Sequence, residues 1–229
     1  MRPARLRAVL LDAYGTLVEL QPPAPLLRAE LASRHKIDVT EAEAAAAIAA
    51  EIAHYRRHHH RAFDQPTLQA LRAECAEVLR AALPAGVAIN ASLTDALLAS
   101  LRFVPFDDAR PALTALHQRG LRLVVVSDWD VSLHAVLEQT GLAPLLDGVI
   151  TSAEAGAAKP ARELFDRALV LAGTSASDAI HVGDDLQRDV EGARAAGIEP
   201  VLIRRNHSGP APAGVTAIET LTELVDLAF

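Results

Sequence analysis

Short apolar runs separated by amphipathic segments dominate the hydrophobic pattern of the chain. The runs are brief, unalternated and rich in leucine and β-branched residues, and most are followed by Asp, Ser or Gly. They cover residues 8–11, 121–126, 149–150, 180–182 and 201–203. Continuous apolar runs of this length are typical of parallel strands that are covered on both faces. We therefore expect a parallel sheet.

Helical patterns lie between the later strands. Amphipathic spacing predicts four helices, over 110–119, 132–140, 161–172 and 188–196. Each is followed by a glycine, at Gly120, Gly141, Gly173 and Gly197. A helix commonly ends on a residue in the left-handed conformation, which glycine adopts most easily. Alternating strands and helices with this punctuation predict an α/β domain with a doubly wound parallel sheet.

One long segment interrupts the alternation of strands and helices. A proline-rich connector at 21–25 begins it, and the apolar residues that follow recur at helical spacing. We therefore predict a helical domain over residues 20–102. The α/β domain would then consist of residues 1–19 and 103–229.

Composition and charge narrow the class of protein. The chain has 229 residues and a formal net charge of -7, which does not favour binding to nucleic acid. No stretch approaches about 18 uninterrupted apolar residues, so we expect no membrane-spanning helix. The one cysteine, Cys75, cannot form an internal disulfide. We expect a cytoplasmic monomer or homodimer whose substrate is a small anionic molecule.

Acidic, hydroxyl and lysine residues follow the predicted strands. They are, in chain order, Asp12, Thr16, Ser127, Asp128, Lys159, Asp184, Asp185 and Asp189. We expect them to meet, because ligands bind outside the carboxyl ends of parallel strands. Carboxylates crowded together repel one another unless a cation lies among them, and oxygen ligands without His or Cys suit Mg²⁺. Hydroxyl groups and a fixed ammonium would hold an anion, so the set suggests nucleophilic attack on phosphorus or carbon.

These residues, in this order, resemble the four motifs of the haloacid dehalogenase (HAD) superfamily. The motifs are Asp-Ala-Tyr-Gly-Thr-Leu at 12–17, Ser127-Asp128, Lys159-Pro160 and Gly183-Asp184-Asp185. The resemblance covers essentially the whole chain and points to the subgroup with a helical C1-type cap between the first two motifs. It implies a HAD-like Rossmannoid core with an inserted α-helical cap domain.

The resemblance also implies roles for individual residues. Asp12 would be the nucleophile, and Lys159 would steady it. The transferred group would be bound by Thr16, Ser127, Asp128 and Lys159. The ligands of Mg²⁺ would be Asp12, the backbone carbonyl of Tyr14, Asp184 and either Asp185 or Asp189.

Tyr14, a candidate catalytic residue, departs from the phosphatases that the chain resembles. Those enzymes carry a second Asp at this position, two residues after the nucleophile, as general acid and base. A phenol, with a pKa of about 10, is a poor proton donor and a poor base at neutral pH. The sequence Asp-x-Tyr-Gly-Thr resembles instead the 2-haloacid dehalogenases, which need neither a metal nor an acid because halide leaves unprotonated.

Other positions speak against dehalogenation. Dehalogenases resemble one another in a Ser-Ser-Asn sequence at the fourth motif, where this chain has the acidic Asp184 and Asp185. They also place Tyr six residues after the lysine, where this chain has Phe165. We rank Mg²⁺-dependent hydrolysis of a phosphate ester or acyl phosphate first, through an aspartyl-phosphate on Asp12. The alternatives are a metal-free 2-haloacid dehalogenase with an ester intermediate on Asp12, and a catalytically weak or non-catalytic protein.

Histidines on a predicted cap helix, a histidine in a strand and one lysine complete the list of candidates. His54 and His58 are spaced to share an ion on one helix face, but a basic helix end is the simpler interpretation. A third interpretation is that Tyr55, His58 or His59 faces the site and selects the substrate. His181 lies inside the fourth predicted strand, and we interpret it as a hydrogen-bonded core histidine. Lys36 has no chemical use that the sequence reveals.

Overall fold

The computed structural model describes residues 6–84, 91–205 and 212–227. The chain divides into two compact units, one formed by Met1–Glu19 and Pro105–Phe229 and the other by Leu20–Val104. The first unit contains a sheet with flanking helices, and the second is largely helical. The chain thus returns to the α/β unit at Pro105.

Eight strands occur within the described residues. They are β1 (Ala8–Leu11), β2 (Val18–Leu20), β3 (Phe103–Pro105), β4 (Arg122–Ser127), β5 (Gly148–Thr151), β6 (Ala179–Gly183), β7 (Glu199–Ile203) and β8 (Thr216–Ile218). Six of them form one sheet in the order β5-β4-β1-β6-β7-β8, and every pair is parallel. The five predicted strands are all present, and the predicted doubly wound α/β fold is confirmed. β2 and β3 pair in a separate two-stranded sheet.

The register of the central strands brings their carboxyl ends together. Leu11 of β1 pairs with Val125 of β4 and with Val182 of β6. β1 is completely buried, as a strand covered on both faces must be. The chain therefore leaves three adjacent strands at one edge of the sheet, where Asp12, Ser127 and Gly183 lie side by side.

Ten α-helices occur in the same described ranges. They are α1 (Pro23–Glu30), α2 (Glu41–His58), α3 (Gln65–Ala82), α4 (Ala91–Ser100), α5 (Ala109–Gln118), α6 (Leu133–Gln139), α7 (Ser152–Ala155), α8 (Arg162–Ala172), α9 (Gly192–Ala195) and α10 (Leu221–Leu227). Three of the four predicted helices appear as α5, α6 and α8. The fourth is a π-helical turn at Leu186–Glu191 followed by the short α9. Gly120, Gly141, Gly173 and Gly197 all have positive φ, as their places after helices require.

The helical unit consists mainly of α1 to α4. Capping boxes begin α2 at Thr40 and α3 at Asp64. Cys75 is buried on α3, as expected for a core residue. Lys36 ends the π-helical turn Leu31–His35 in the left-handed conformation, and its Nζ donates to the carbonyl of Ser33 at 3.1 Å. No helix among the described residues is both long enough and apolar enough to cross a membrane.

Phe165 on α8 provides a test of the core. Its side chain is fully buried in a cluster that includes Leu10 of β1 and Val124 of β4. We expect Phe165→Ala to cost about 3–5 kcal/mol of unfolding free energy and to lower Tm by about 10 °C. Val170→Ala on the same helix is the control, because Val170 is 82% exposed. Equal Tm values for the two variants in thermal unfolding followed by circular dichroism would contradict this packing.

Candidate active site

Three carboxylates converge at the edge of the sheet. Asp12 follows β1, and Asp184 and Asp189 follow β6. One carboxylate oxygen from each lies within 4.8 Å of the others. Asp12 and Asp189 are buried, whereas Asp184 is exposed at the rim. No comparable group within the part of the chain that the structure describes includes His54 or His58.

Lys159 lies among these carboxylates. Its Nζ is 2.8 Å from Oδ1 of Asp12 and 2.6 Å from Oδ1 of Asp189, and its side chain is only 3% exposed. Burial alone would lower the pKa of Lys159. The negative charges of Asp12, Asp189 and Asp128 outweigh burial and raise it. Lys159 is therefore a permanent cation that joins two buried acids.

The two oxygens of Asp12 have different surroundings. Oδ1 accepts a hydrogen bond from Oγ of Ser127 at 2.8 Å and contacts Lys159. Oδ2 accepts no hydrogen bond from any residue that the structure describes. The backbone N–H of Asp12 donates to the carbonyl of Val182 at 2.8 Å, which fixes the residue to β6. Oδ2 is thus the oxygen that is open to a reaction partner.

Asp189 is held by donors on both oxygens. Oδ1 accepts from Lys159 and from Nε2 of His181, the latter at 2.9 Å, and Oδ2 accepts from the backbone N–H of Asp185 at 3.0 Å. Burial would raise the pKa of Asp189, but Lys159 and His181 outweigh it and lower the pKa. His181 is completely buried and packs edge-on against Phe165 with ring centroids 5.0 Å apart. The interpretation of His181 as a hydrogen-bonded core histidine is confirmed, but nothing in the sequence indicated that its partner is a carboxylate of the site.

The carboxylate of Asp184, unlike that of Asp189, has no hydrogen-bond donors among the residues that the structure describes to offset its position among negative charges. It accepts no hydrogen bond from the described residues, and its carboxylate faces the charges of Asp12 and Asp189. Although Asp184 is exposed, surrounding protein removes part of its hydration. This desolvation, followed by the charges of Asp12 and Asp189, raises the pKa of Asp184 from 3.8 to about 6. A bound cation would relieve this repulsion.

Two glycines leave room for the acidic groups. A Cβ on Gly15, whose φ is 79°, would overlap the carboxylate of Asp184. A Cβ on Gly183 would overlap the carboxyl group of Asp189. A side chain at either position would displace a carboxyl group of the cluster, and at Gly15 it would also have to adopt an unfavourable positive φ.

Asp185 and Asp128 bind backbone groups in the structure. Oδ1 of Asp185 accepts from the backbone N–H groups of Gln187 and Arg188 at 2.9 and 2.8 Å, and Oδ2 pairs with the Arg188 side chain. These donors outweigh partial burial and lower the pKa of Asp185. Oδ1 of Asp128 accepts from the backbone N–H of Lys159 at 2.8 Å. Of the two alternative metal ligands, the structure brings Asp189, and not Asp185, to Asp12 and Asp184.

Thr16 and Tyr14 complete the set of predicted site residues. Oγ1 of Thr16 is buried and has no hydrogen-bond partner among the described residues. A buried hydroxyl without a partner is costly, so a ligand oxygen would complete its bonding. The side chain of Tyr14 is 45% exposed, and its backbone forms an isolated bridge with Val18.

The arrangement suits attack by Asp12 on an electrophilic centre. Oδ2 of Asp12 is free, while Ser127 and Lys159 hold Oδ1. Three carboxylates against one buried ammonium leave the cluster negative. Their oxygen donors, without sulfur and with no histidine as a potential ligand, fit a hard divalent cation such as Mg²⁺.

Comparisons with known proteins point to a family of hydrolases. A family model described as haloacid dehalogenase-like hydrolase matches residues 6–197. Ribulose-1,5-bisphosphate 5-phosphatase of Halopiger xanaduensis is 33% identical over 152 residues, which are 62% of this chain and 63% of that protein. The chain thus spans under two thirds of that relative. Glyceraldehyde 3-phosphate phosphatase of Methanopyrus kandleri is 31% identical over 206 residues, which are 87% of this chain and 84% of that protein.

A solved structure with a similar fold is that of a defluorinating L-2-haloacid dehalogenase. The two structures superpose with a TM-score of 0.76 and 23% sequence identity, over 100% of this chain and 98% of the other. At this identity the likeness concerns the fold alone. The same fold is therefore compatible with phosphatase and dehalogenase chemistry, and the residues of the site must distinguish them.

The raised pKa of Asp184 predicts how stability depends on pH without metal. An acid whose pKa is higher in the folded state destabilises the fold when it ionises, so the cost grows between pH 3.8 and about 6 and is complete above. The shift corresponds to roughly 3 kcal/mol, which we reduce to about 1 kcal/mol because solvent screens the exposed group. We expect Asp184→Asn in EDTA to raise Tm by about 2–4 °C at pH 7.5 and to have no effect at pH 4.

The control for this experiment is Asp185→Asn. The pKa of Asp185 is lowered rather than raised, so its charge stabilises the fold and its removal should not raise Tm at pH 7.5. We further expect excess Mg²⁺ to raise the Tm of the wild type more than that of Asp184→Asn. An unchanged or lower Tm for Asp184→Asn at pH 7.5 in EDTA would show that the carboxylates do not repel one another.

Proposed function

The chain belongs to the haloacid dehalogenase-like hydrolase family, and we propose that it hydrolyses phosphate esters or acyl phosphates of small anionic molecules with Mg²⁺. The observation that carries the proposal is the convergence of Asp12, Asp184 and Asp189 around a single buried ammonium. Without a metal, the charge of Asp184 is destabilised, because desolvation and repulsion by Asp12 and Asp189 outweigh its attraction to Lys159 and Arg188. The phosphatase names of the relatives support the same activity.

The metal would be held by oxygens that the structure brings together. Asp12 and Asp184 would each contribute a carboxylate oxygen, and the backbone carbonyl of Tyr14 can contribute without regard to its side chain. Asp189 already accepts three hydrogen bonds, so we assign it to the support of the site. When bound, Mg²⁺ would neutralise the carboxylates and polarise the phosphoryl oxygens.

Asp12 would act as the nucleophile through Oδ2. Oδ2 forms a bond to phosphorus as the bond between phosphorus and the leaving oxygen breaks, which gives an aspartyl-phosphate. Water then attacks phosphorus, releases inorganic phosphate and regenerates the carboxylate. Ser127 and Lys159 orient the nucleophile by holding Oδ1, and Oγ1 of Thr16 would donate to a phosphoryl oxygen.

Tyr14 restricts the class of substrate. The position two residues after the nucleophile has no carboxyl group, so the leaving oxygen receives no proton from a side chain at this position. Acyl and aryl phosphates release a weakly basic carboxylate or phenolate without protonation, whereas an alkyl phosphate would release a strongly basic alkoxide, which needs a proton. We therefore expect a preference for substrates with leaving groups of low pKa.

The first test of this function is an activity panel. We expect the wild type to release phosphate from p-nitrophenyl phosphate with Mg²⁺ and to lose this activity in EDTA. Asp12→Asn removes the nucleophile and should reduce the rate by at least about 1,000-fold. The control is Asp166→Asn, an exposed carboxylate on α8 that pairs with Arg162.

Two outcomes of the panel would contradict the proposal. Release of halide from 2-chloropropionate in EDTA, without phosphate release in Mg²⁺, would favour a dehalogenase. The first motif, Asp-x-Tyr-Gly-Thr, resembles that of the 2-haloacid dehalogenases. No activity on p-nitrophenyl phosphate or 2-chloropropionate, either with Mg²⁺ or with EDTA, would favour a non-catalytic protein.

The second test concerns Tyr14. For a series of phosphate esters, we expect the wild-type kcat/KM to fall steeply as the pKa of the leaving group rises. Tyr14→Asp supplies a general acid and should raise kcat/KM for alkyl phosphates by about 100-fold. Tyr14→Phe is the matched control and should leave the series unchanged. A wild-type rate that is independent of the leaving group, or no gain in Tyr14→Asp, would show that another residue supplies the proton.

A further inference from the structure

The loop that directly follows the nucleophile is closed by backbone hydrogen bonds. This nucleophile loop comprises residues 13–18 and directly follows Asp12. The N–H groups of Leu17 and Val18 donate to the carbonyl of Ala13 at 2.8 and 2.9 Å, and the N–H of Gly15 donates to the carbonyl of Val18 at 2.9 Å. These bonds leave the carbonyl of Thr16 pointing out of the loop, where it accepts from a side chain far along the sequence.

That side chain is Arg205, which lies two residues beyond the end of β7. Its Nη2 donates to the carbonyl of Thr16 at 2.7 Å. The same guanidinium makes a bidentate pair with Asp108, with Nη1 3.0 Å from Oδ2 and Nη2 2.9 Å from Oδ1. Its central carbon lies 3.7 Å from the centroid of the Phe106 ring. With 14% of its side chain exposed, Arg205 is held by charge, hydrogen bonds and stacking together.

Arg205 connects three separate segments of the α/β unit. The first is the nucleophile loop. The second is the segment after β3, whose Phe106 N–H donates to the carbonyl of Leu17 at 3.0 Å. The third begins with α10, because Oδ2 of Asp108 also accepts from the N–H of Leu221 at 2.7 Å. The loop is thus fastened to the rest of the unit at Thr16 and at Leu17.

We propose that Arg205 is a positioning residue that fixes the nucleophile loop. By holding the carbonyl of Thr16, its guanidinium sets the place of the buried Thr16 hydroxyl and of Asp12 at the start of the loop. Arg205 lies after residue 197, where the match to the family model ends. The kinetic consequence rests on the proposed function, whereas the effect on the loop does not.

Arginine is required for this role. A lysine has one nitrogen and could reach Asp108 or the carbonyl of Thr16, but it cannot reproduce the planar fork that binds both. A lysine also loses the stacking on Phe106. Arg205→Lys therefore keeps the charge next to Asp108 while it releases the loop.

The first experiment measures amide hydrogen exchange without metal or substrate. In Arg205→Lys and Arg205→Ala, we expect the amides of the nucleophile loop to exchange at least about 10-fold faster than in the wild type, with β4 and β6 unchanged. The control is Arg122→Ala. Arg122 also pairs with an aspartate, Asp147, at 2.6 Å, but lies at the start of β4, away from the site.

The second experiment measures hydrolysis of p-nitrophenyl phosphate with Mg²⁺. We expect kcat/KM to fall at least about 10-fold in Arg205→Ala and less in Arg205→Lys, because the displaced loop carries a binding hydroxyl and directly follows the nucleophile. Arg122→Ala should keep the wild-type value. Should Arg205→Ala fail to fold, Arg205→Lys and Asp108→Asn decide the question.

The outcomes separate this proposal from the proposed function. Faster exchange confined to the loop supports the positioning role even when the wild type hydrolyses no phosphate ester. Unchanged exchange in both Arg205 variants would overturn the role, whatever happens to activity. Faster exchange with undiminished kcat/KM in an active enzyme would show that the loop needs no such fixing for catalysis.

Discussion

A single buried ammonium, shared between two buried carboxylates, is the interaction on which the site depends. Lys159 contacts Asp12 and Asp189 at 2.8 and 2.6 Å, and its removal would leave two acids in the interior without an opposite charge. These three residues also connect parts of the chain that are far apart in sequence: the end of β1, the segment before α8 and the turn after β6. The carboxylate of Asp128 accepts a hydrogen bond from the backbone N–H of the same lysine, so Lys159 is held at its backbone as well as at its ammonium group. Its position in turn fixes which oxygen of Asp12 stays free.

Much of the fold and of the site could be predicted because a parallel sheet has a simple relation to its sequence. Strands buried on both faces are continuous apolar runs, and the residues just after them share one edge, which is how Asp12, Ser127 and Asp184 could be grouped in advance. The three-residue strands β2, β3 and β8 carry too few side chains to show a pattern. The contact of Arg205 with Asp108 joins residues 97 positions apart, and nothing local in either segment indicates it. His181 was hidden for a related reason, since its neighbours in sequence are apolar.

The site, and not the fold, distinguishes the two activities that the chain resembles. The backbone superposes on that of a dehalogenase, while the sequence relatives are named phosphatases. The difference lies in a few side chains. Asp184 adds a charge that Lys159 and Arg188 balance only in part, whereas Tyr14 stands where a proton donor would serve substrates with poor leaving groups. This combination is the basis of the proposal that the enzyme uses a metal and prefers phosphates with good leaving groups.

The two glycines beside the acidic cluster have a consequence for how such a site can diverge. Gly15 lies against Asp184 and Gly183 against Asp189, and neither position has space for a Cβ. Any substitution there would move a carboxylate, so these backbone positions are closed to gradual change while the present set of acids is kept. Tyr14, between the nucleophile and one of these glycines, is exposed and free of this constraint. A new activity on this scaffold would therefore arise most easily by exchange of exposed residues such as Tyr14, while Gly15 and Gly183 beside the carboxylates are kept.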